Sequence, residues 1–445
     1  MEVLPLLLRE GAGHTLAGHV RELVDRQALS DAEEHRRSMT ADARRGPFDR
    51  LRPAAAVAAV HALAVVIWIA FGTELPGGRW LAVHLFTLGV VTNLILALSD
   101  HFARTLTRQP GDAPIAQLIA ANVGAVAVFV GVANGRPWLV AAGATVISGV
   151  VFVSSWRLRR LRRTSLGARF RWVVRTYERA HGAFLFGALL GALVGTGVLA
   201  DGWVGAARTG HLHVNLLGWA GLTLLATIVF FGPTIARTRI REGADVRAAR
   251  ALRIGAYGLG IGVLGLVGTG FGGAPGAVAR GIAAAGLAAF AWSVTVVSVP
   301  VVRASTSSKA PERWSVLAVA AWFVFAAWSD VLVVAAGGWR LLEPVGAAML
   351  LGVLGQAIVV SLGYVAPRLL RLDPATAYTR TEAWAAARAL AWNAGVALIV
   401  ASGVAGSAAA PGFSTAGSVG WVLVLLAAAA RALVVGRAAL SVRAR

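Results

Sequence analysis

The sequence predicts an all-α protein that crosses a membrane twelve times. Of its 445 residues, 57% are hydrophobic and only 14% are charged, with a mean hydropathy of +0.69. Such a chain is too apolar and too poor in charge for an ordinary soluble domain. A helix needs about 20 apolar residues to cross a bilayer. Runs of that kind lie at 53–73, 80–103, 113–133, 137–157, 180–200, 209–235, 252–271, 278–302, 314–337, 343–367, 384–406 and 416–437.

The chain ahead of the first run has a different character. Residues 1–52 are polar and mixed in charge, and they lack the apolar core and small-residue cleavage site of a signal peptide. We therefore expect a cytoplasmic tail at 1–52, followed by one membrane domain at 53–440. The loops after even-numbered runs hold most of the arginines, as at 157–175. This bias predicts that both termini lie in the cytoplasm.

The same composition excludes several classes of function. The net charge of +21 could suggest a nucleic-acid partner, but the arginines lie in short loops between apolar runs, where membrane orientation is the usual cause. We therefore predict contact with membrane lipid and no nucleic-acid partner. There is no cysteine, which excludes disulfides, thiolate metal sites and cysteine nucleophiles. With three methionines, a thioether copper path is also disfavoured.

An internal repeat links the second, sixth and tenth runs. His84 is followed at five residues by Gly89, and His213 is followed at five by Gly218. A third copy has Ala347 at the histidine position. There, the Leu-Gly pair at 351–352 leads to a proline at 367, as the pair at 217–218 leads to one at 233. We therefore predict three four-helix units around a pseudo-threefold axis.

The histidines of these runs are the candidate ligands. An imidazole inside a membrane is costly and usually marks a functional site. His211 and His213 point to nearly opposite sides of one helix, because each residue turns about 100°. Since His84 and His213 have similar predicted depths, we expect them to face each other and to hold a haem iron from both sides. His211 is then either a ligand of a second haem or metal, or a hydrogen-bond partner of Asn215.

Further residues fill supporting roles in this hypothesis. Arg79 and Arg208 each precede a register histidine by five residues, at the predicted outer surface, where guanidinium groups pair with haem propionates. His61, His101 and His181 are candidates for a second haem toward the inner face, or else side chains hydrogen-bonded near the membrane boundary. The sequence predicts either a proton path or internal hydrogen bonds for Asp330 and Gln356.

The segment HLHVNLLGWAGLTLLATIVFFGP resembles the HxHxxxLGWxG segment of the catalytic subunit of cbb-type haem-copper oxidases. That superfamily includes nitric oxide reductases and the related NnrS-type proteins. Together with HLFTLGVVTNLILALSDHF and GQAIVVSLGYVAP, the segment also resembles a bacterial membrane module often joined to a multicopper oxidase or a copper nitrite reductase domain. The resemblance spans about 53–440. It implies a bacterial cytoplasmic membrane, a high-spin haem on His211, and a low-spin haem b between His213 and His84.

The chain departs from the oxidase pattern in two ways. The HxH pair lies on the sixth run rather than the tenth, and runs seven to twelve contain no histidine, so the copper triad is absent. Copper within this chain is therefore not expected, and oxygen reduction coupled to proton pumping is disfavoured.

Two hypotheses for the function follow. The first is a haem protein for electron transfer or small-gas redox chemistry, with quinol or a separate extracellular multicopper oxidase or cupredoxin as partner. The second is a haem-free transporter or assembly scaffold for a metal or small molecule.

Overall fold

The structure is a computed structural model that describes residues 48–71, 77–109, 111, 114–165, 170–370, 381–407 and 413–443. By its internal contacts the chain separates into residues 1–50 and a compact unit formed by 51–445. The tail predicted at 1–52 lies almost entirely outside the described residues. The second unit contains every residue that the sequence places in or near a site.

Twelve helices of the described residues are long and apolar enough to cross a membrane, which confirms the predicted number. The described ranges contain no strand. In chain order, the helices α1 to α12 are Asp49–Phe71, Gly78–Thr107, Ile115–Ala133, Pro137–Thr164, Arg171–Thr196, Asp201–Ile235, Ala244–Phe271, Gly273–Thr306, Arg313–Ala336, Trp339–Leu369, Ala385–Gly406 and Thr415–Ala438. The protein is therefore a multi-pass, all-α membrane protein.

Several helices extend beyond the apolar runs. The run predicted from 180 belongs to a helix that begins at Arg171, and the run predicted from 252 to one that begins at Ala244. Arginine and alanine are good helix formers, so the backbone stays helical where the hydropathy falls. Hydropathy marks the part of a helix that suits the membrane, and it does not mark the helix end.

Contacts between distant loops show that the helix ends gather on two sides. The Ser308 hydroxyl, between α8 and α9, donates to the carbonyl of Ala236 at the end of α6. At the opposite ends, Arg79 of α2 forms an ion pair with Glu343 of α10. The first side receives the basic loops after even-numbered helices, and we call it the arginine-rich side.

Helix α6 lies at the centre of the bundle. Within its most apolar stretch 78% of the residues are buried, against at most 50% in any other spanning helix. The Trp219 indole donates to the Thr92 hydroxyl of α2 at 3.1 Å. On another face, a Cβ added to Gly221 would lie 3.2 Å from Phe323 of α9 and 3.6 Å from Met349 of α10. This helix therefore joins the elements that carry the other candidate ligands.

Three of the helices contain a π-helical segment, a wide turn that is rare and often marks a functional position. The segments are Leu85–Val91 in α2, Val214–Gly221 in α6 and Ala348–Gly355 in α10. Each begins directly after a residue that the repeat aligns, namely His84, His213 and Ala347. The same irregularity therefore occurs at the same register in the three helices.

The glycine five residues after each of these positions lies against a neighbouring helix. A Cβ added there would clash with a side chain in all three cases. The pairs are Gly89 with His61 of α1 (2.3 Å), Gly218 with Ala183 of α5 (2.7 Å) and Gly352 with Trp322 of α9 (2.6 Å). Each glycine thus allows close approach to the helix that directly precedes its own in the chain, in keeping with the small-residue packing of membrane helices.

Candidate functional site

The imidazoles of His84 on α2 and His211 on α6 meet between these helices. Their ring centroids are 6.2 Å apart and the ring planes differ by only 17°. The Nδ1 of His84 bonds to the Trp80 carbonyl at 2.8 Å, and the Nδ1 of His211 bonds to the Gly187 carbonyl at 2.7 Å. Among the described residues, neither Nε2 has a hydrogen-bond partner. Each ring therefore has one nitrogen without a hydrogen-bond partner among the described residues.

Neighbouring groups hold both rings in place. The Trp80 indole stacks on His84 with centroids 4.1 Å apart. On the other side, a Cβ added to Gly191 of α5 would lie 2.6 Å from Cε1 of His211. The Asn215 amide donates to the His211 carbonyl at 2.8 Å and lies 3.3 Å from its Nδ1. The predicted contact between His211 and Asn215 is thus present.

His213 occupies a different place from the one expected. Its Nε2 lies 2.9 Å from Oδ1 of Asp330 on α9, and its Nδ1 donates to the Thr209 carbonyl at 2.7 Å. The side chains of this pair are 1% and 5% exposed. The expectation that His213 faces His84 is therefore wrong, because its Nε2 bonds to Asp330 of α9 and its Nδ1 bonds to a carbonyl of its own helix.

The physical reason for the correction is the helix period. Positions 211 and 213 are about 200° apart around α6, as expected for two residues at about 100° each. One side of the helix faces α2 and α5, and the other faces α9. The sequence predicts correctly that His211 and His213 lie on opposite sides of α6. The histidine that lies beside His84, however, is His211 and not His213. Asp330 was expected either on a proton path or in an internal hydrogen bond, and it has the hydrogen bond.

The donor set determines which metal centre the pair could hold. The described residues contain no group of three or more His, Cys, Asp or Glu side chains suited to a metal ion. A haem brings four ring nitrogens of its own and needs only two axial ligands from the protein. Bonds of about 2 Å from a metal to two opposite imidazoles place the ring centres about 6 Å apart. His84 and His211 therefore fit a haem iron in both number and spacing.

The two predicted propionate partners differ in their surroundings. Arg79 is exposed and forms an ion pair with Glu343, so its charge is already matched at the surface. Arg208 is also exposed and lies one helical turn before His211. Both arginines lie near the histidine end of their helices, but for Arg79 the charge is matched by Glu343.

His181 is a structural histidine in this fold. It is fully buried, its Nδ1 donates to the Tyr177 carbonyl at 2.8 Å, and its Nε2 accepts from the Ser154 hydroxyl at 3.1 Å. Its ring meets the Trp219 indole edge to face, with centroids 4.8 Å apart. Both nitrogens are in use, so His181 fits the hydrogen-bonded alternative, although inside the bundle and not at its boundary.

The other two second-site candidates lie on different helices. The His61 ring of α1 packs on Gly89, and its Nδ1 bonds to the Val57 carbonyl at 3.0 Å. His101, near the arginine-rich end of α2, meets the ring of Phe102 at 5.5 Å. The described contacts do not pair either histidine with a second imidazole. A second haem near this side remains a prediction.

The structure also contains buried charges that the sequence analysis missed. On the arginine-rich side, Arg157 of α4 lies 3.6 Å from Asp100 of α2. Glu312, just before α9, accepts hydrogen bonds from Arg388 of α11 and Arg431 of α12. An arginine inside an apolar run, as at 431, is the feature of the sequence that could have revealed them. Comparison with known protein families and with curated proteins finds no match for this chain.

Proposed function

We propose that the protein is an integral-membrane b-type haem protein whose iron is held between His84 and His211. The observation that carries the proposal is the facing pair of imidazoles, with centroids 6.2 Å apart and no protein partner for either Nε2. The resemblance of the HLHVNLLGWAG segment to haem-binding segments supports it independently. The proposed role is electron transfer, or redox chemistry of a small gas such as nitric oxide or oxygen.

The surrounding residues suit axial ligation. Histidines that bind a metal commonly donate their other ring N–H to a carbonyl, which fixes the tautomer and the ring orientation. Here the carbonyls of Trp80 and Gly187 bond to the Nδ1 atoms of His84 and His211 in this way. When bound, such a haem supplies reversible one-electron chemistry. With His84 and His211 both holding the iron, such a group would suit electron transfer better than gas binding, since a gas would have to displace one of the two imidazoles.

The proposed partners follow from the same chemistry. Quinol is a membrane-soluble electron donor, and a separate extracellular multicopper oxidase or cupredoxin is a suitable acceptor. Helices α7 to α12 contain no histidine to bind copper as the oxidases do. We therefore place copper chemistry in the partner and electron relay in this chain. The membrane proposed is the bacterial cytoplasmic membrane, with the arginine-rich side and both termini inward.

We further propose that the bundle consists of three four-helix units related by a pseudo-threefold axis. The π-helical segments at matching positions of α2, α6 and α10 support this arrangement. So does the packing of the three following glycines on α1, α5 and α9. In such a bundle the His84 and His211 pair and the His213 and Asp330 pair occupy successive interfaces between units, which explains why adjacent histidines serve different partners.

The visible spectrum tests the proposal. The wild-type protein, expressed with ample haem and purified in detergent, is expected to show the sharp reduced-state bands of bis-histidine haem. His84→Ala and His211→Ala are expected to remove these bands. His213→Ala is the control on the same helix: its folded fraction is expected to keep the bands, because this ring is bonded to Asp330, although the variant is expected to be less stable. A colourless wild-type protein with a normal folded elution profile would reject the haem proposal and favour the transporter or scaffold hypothesis.

A further inference from the structure

Four helices line a small cavity on the arginine-rich half of the bundle. Its volume is about 20 Å³, room for one species of about the size of a water molecule. The polar side chains around it come from α10, α11, α12 and the start of α9. They are Glu312, Ser315, Gln356, Arg388 and Arg431.

The charges around this cavity do not balance. Oε1 of Glu312 accepts from Nη2 of Arg388 at 3.0 Å and from Nη2 of Arg431 at 2.6 Å. All three side chains are at least nine-tenths buried. Two cations therefore share one carboxylate, which leaves one positive charge in excess. Glu382 interacts with Arg431 and also forms an ion pair with Arg237, so the three arginines and two glutamates of this described cluster carry one net positive charge. A buried charge without a counter-charge is strongly unfavourable.

Hydrogen-bond donors at the cavity also lack acceptors. Gln356 is only 3% exposed, and neither its amide nitrogen nor its amide oxygen has a partner among the described residues. The Nε of Arg431 is buried and unpartnered in the same way. Buried polar groups in native proteins are nearly always paired, with protein, water or an ion. A species that accepts from both donors would satisfy them.

We propose that this cavity binds one monovalent anion of halide size, of the chloride class, between Gln356 and Arg431. The anion supplies the missing negative charge and accepts from the amide nitrogen and the guanidinium Nε. A phosphate or a lipid headgroup is too large for the cavity. Bound there, the anion links α10 to α12 and stabilises the last four helices of the bundle.

Thermal unfolding of the full-length protein in detergent tests the proposal. At constant ionic strength, replacing gluconate by chloride is expected to raise the melting temperature by a few degrees, and the rise is expected to saturate. Gln356→Leu is expected to remove this dependence. Gln356→Glu places a carboxylate at the site, so its melting temperature is expected to be the same in both salts. This variant tests the proposal even if the leucine variant does not fold.

Asn93 provides a matched control. It lies nine residues after His84, as Gln356 lies nine after Ala347, but its amide is paired with Asn122 at 2.9 and 3.1 Å. Asn93→Leu is therefore expected to lower stability equally in chloride and gluconate. Crystals grown in bromide give the direct measurement, with an anomalous peak expected between Gln356 and Arg431. A melting temperature independent of chloride in the wild type, or density for water alone at this position, would overturn the proposal.

Discussion

His211 and His213, separated by one residue on α6, are fixed by two different helices. Nδ1 of His211 bonds to the carbonyl of Gly187 on α5, whereas Nε2 of His213 bonds to the carboxylate of Asp330 on α9. The first contact leaves one His211 nitrogen without a partner among the described residues, whereas both nitrogens of His213 are bonded. The proposed haem ligand and a histidine with an internal hydrogen bond are thus neighbours on one helix.

The buried pair of His213 and Asp330 is expected to contribute strongly to stability. Removal of one member leaves the facing polar atom of the other buried and unpaired, which typically costs about 3–5 kcal/mol for a buried ion pair. Oδ2 of Asp330 already has no hydrogen-bond partner among the described residues, so the contact with His213 is its main support. We expect His213→Leu and Asp330→Leu each to lower the melting temperature strongly in detergent.

The double variant of this pair is the control. With both polar groups replaced by leucine, no buried polar group is left alone, so much of the lost stability is expected to return. A double-mutant cycle on unfolding measures the coupling. Additive losses, with no recovery in the double variant, would show that the two side chains do not support each other.

Gly191 is expected to be required for the position of the His211 ring. A methyl group there would lie 2.6 Å from Cε1 of the imidazole, and the ring would have to move. We expect Gly191→Ala to weaken or shift the reduced haem bands while the bundle remains folded. Gly182→Ala, on the same helix with open space around it, is the control and is expected to leave the spectrum unchanged.

Gly89 is expected to tolerate no side chain while His61 is present. Its added Cβ would lie 2.3 Å from the imidazole Cδ2, and overpacking of this kind costs about 1–3 kcal/mol. Gly89→Ala should therefore melt at a lower temperature than the wild type. Adding His61→Ala should restore part of the loss. Gly149→Ala, which meets nothing within 4 Å, should melt no lower than the wild type. An unchanged melting temperature in Gly89→Ala would contradict the observed packing.

The two arginines near the facing histidines are expected to affect the haem unequally. Removal of a nearby positive charge makes reduction of the iron less favourable, so Arg208→Gln should lower its midpoint potential. Arg79→Gln should have a smaller effect, since that guanidinium is paired with Glu343. Redox titration of both variants measures the difference. Equal potentials in the wild type and Arg208→Gln would show that Arg208 does not interact with the haem.

The number of helices could be predicted from the sequence because hydropathy reports directly on membrane-length runs. The opposite placement of His211 and His213 followed from the helix period alone. Their partners could not be predicted, because which neighbour each side of α6 faces depends on how twelve helices pack. For the same reason Glu312 could not be assigned to Arg388 and Arg431, which are 76 and 119 residues away along the chain.

The π-helical segments of α2, α6 and α10 have a consequence for each of these helices as a whole. A π turn spans one residue more than an α turn, so it rotates everything beyond it by about 100° relative to an uninterrupted helix. A helical wheel drawn through such a helix therefore assigns its far half to the wrong neighbours. The half of the helix before each segment and the half after it therefore face different neighbours. The histidine end and the arginine-rich end can in this way be adapted to separate tasks.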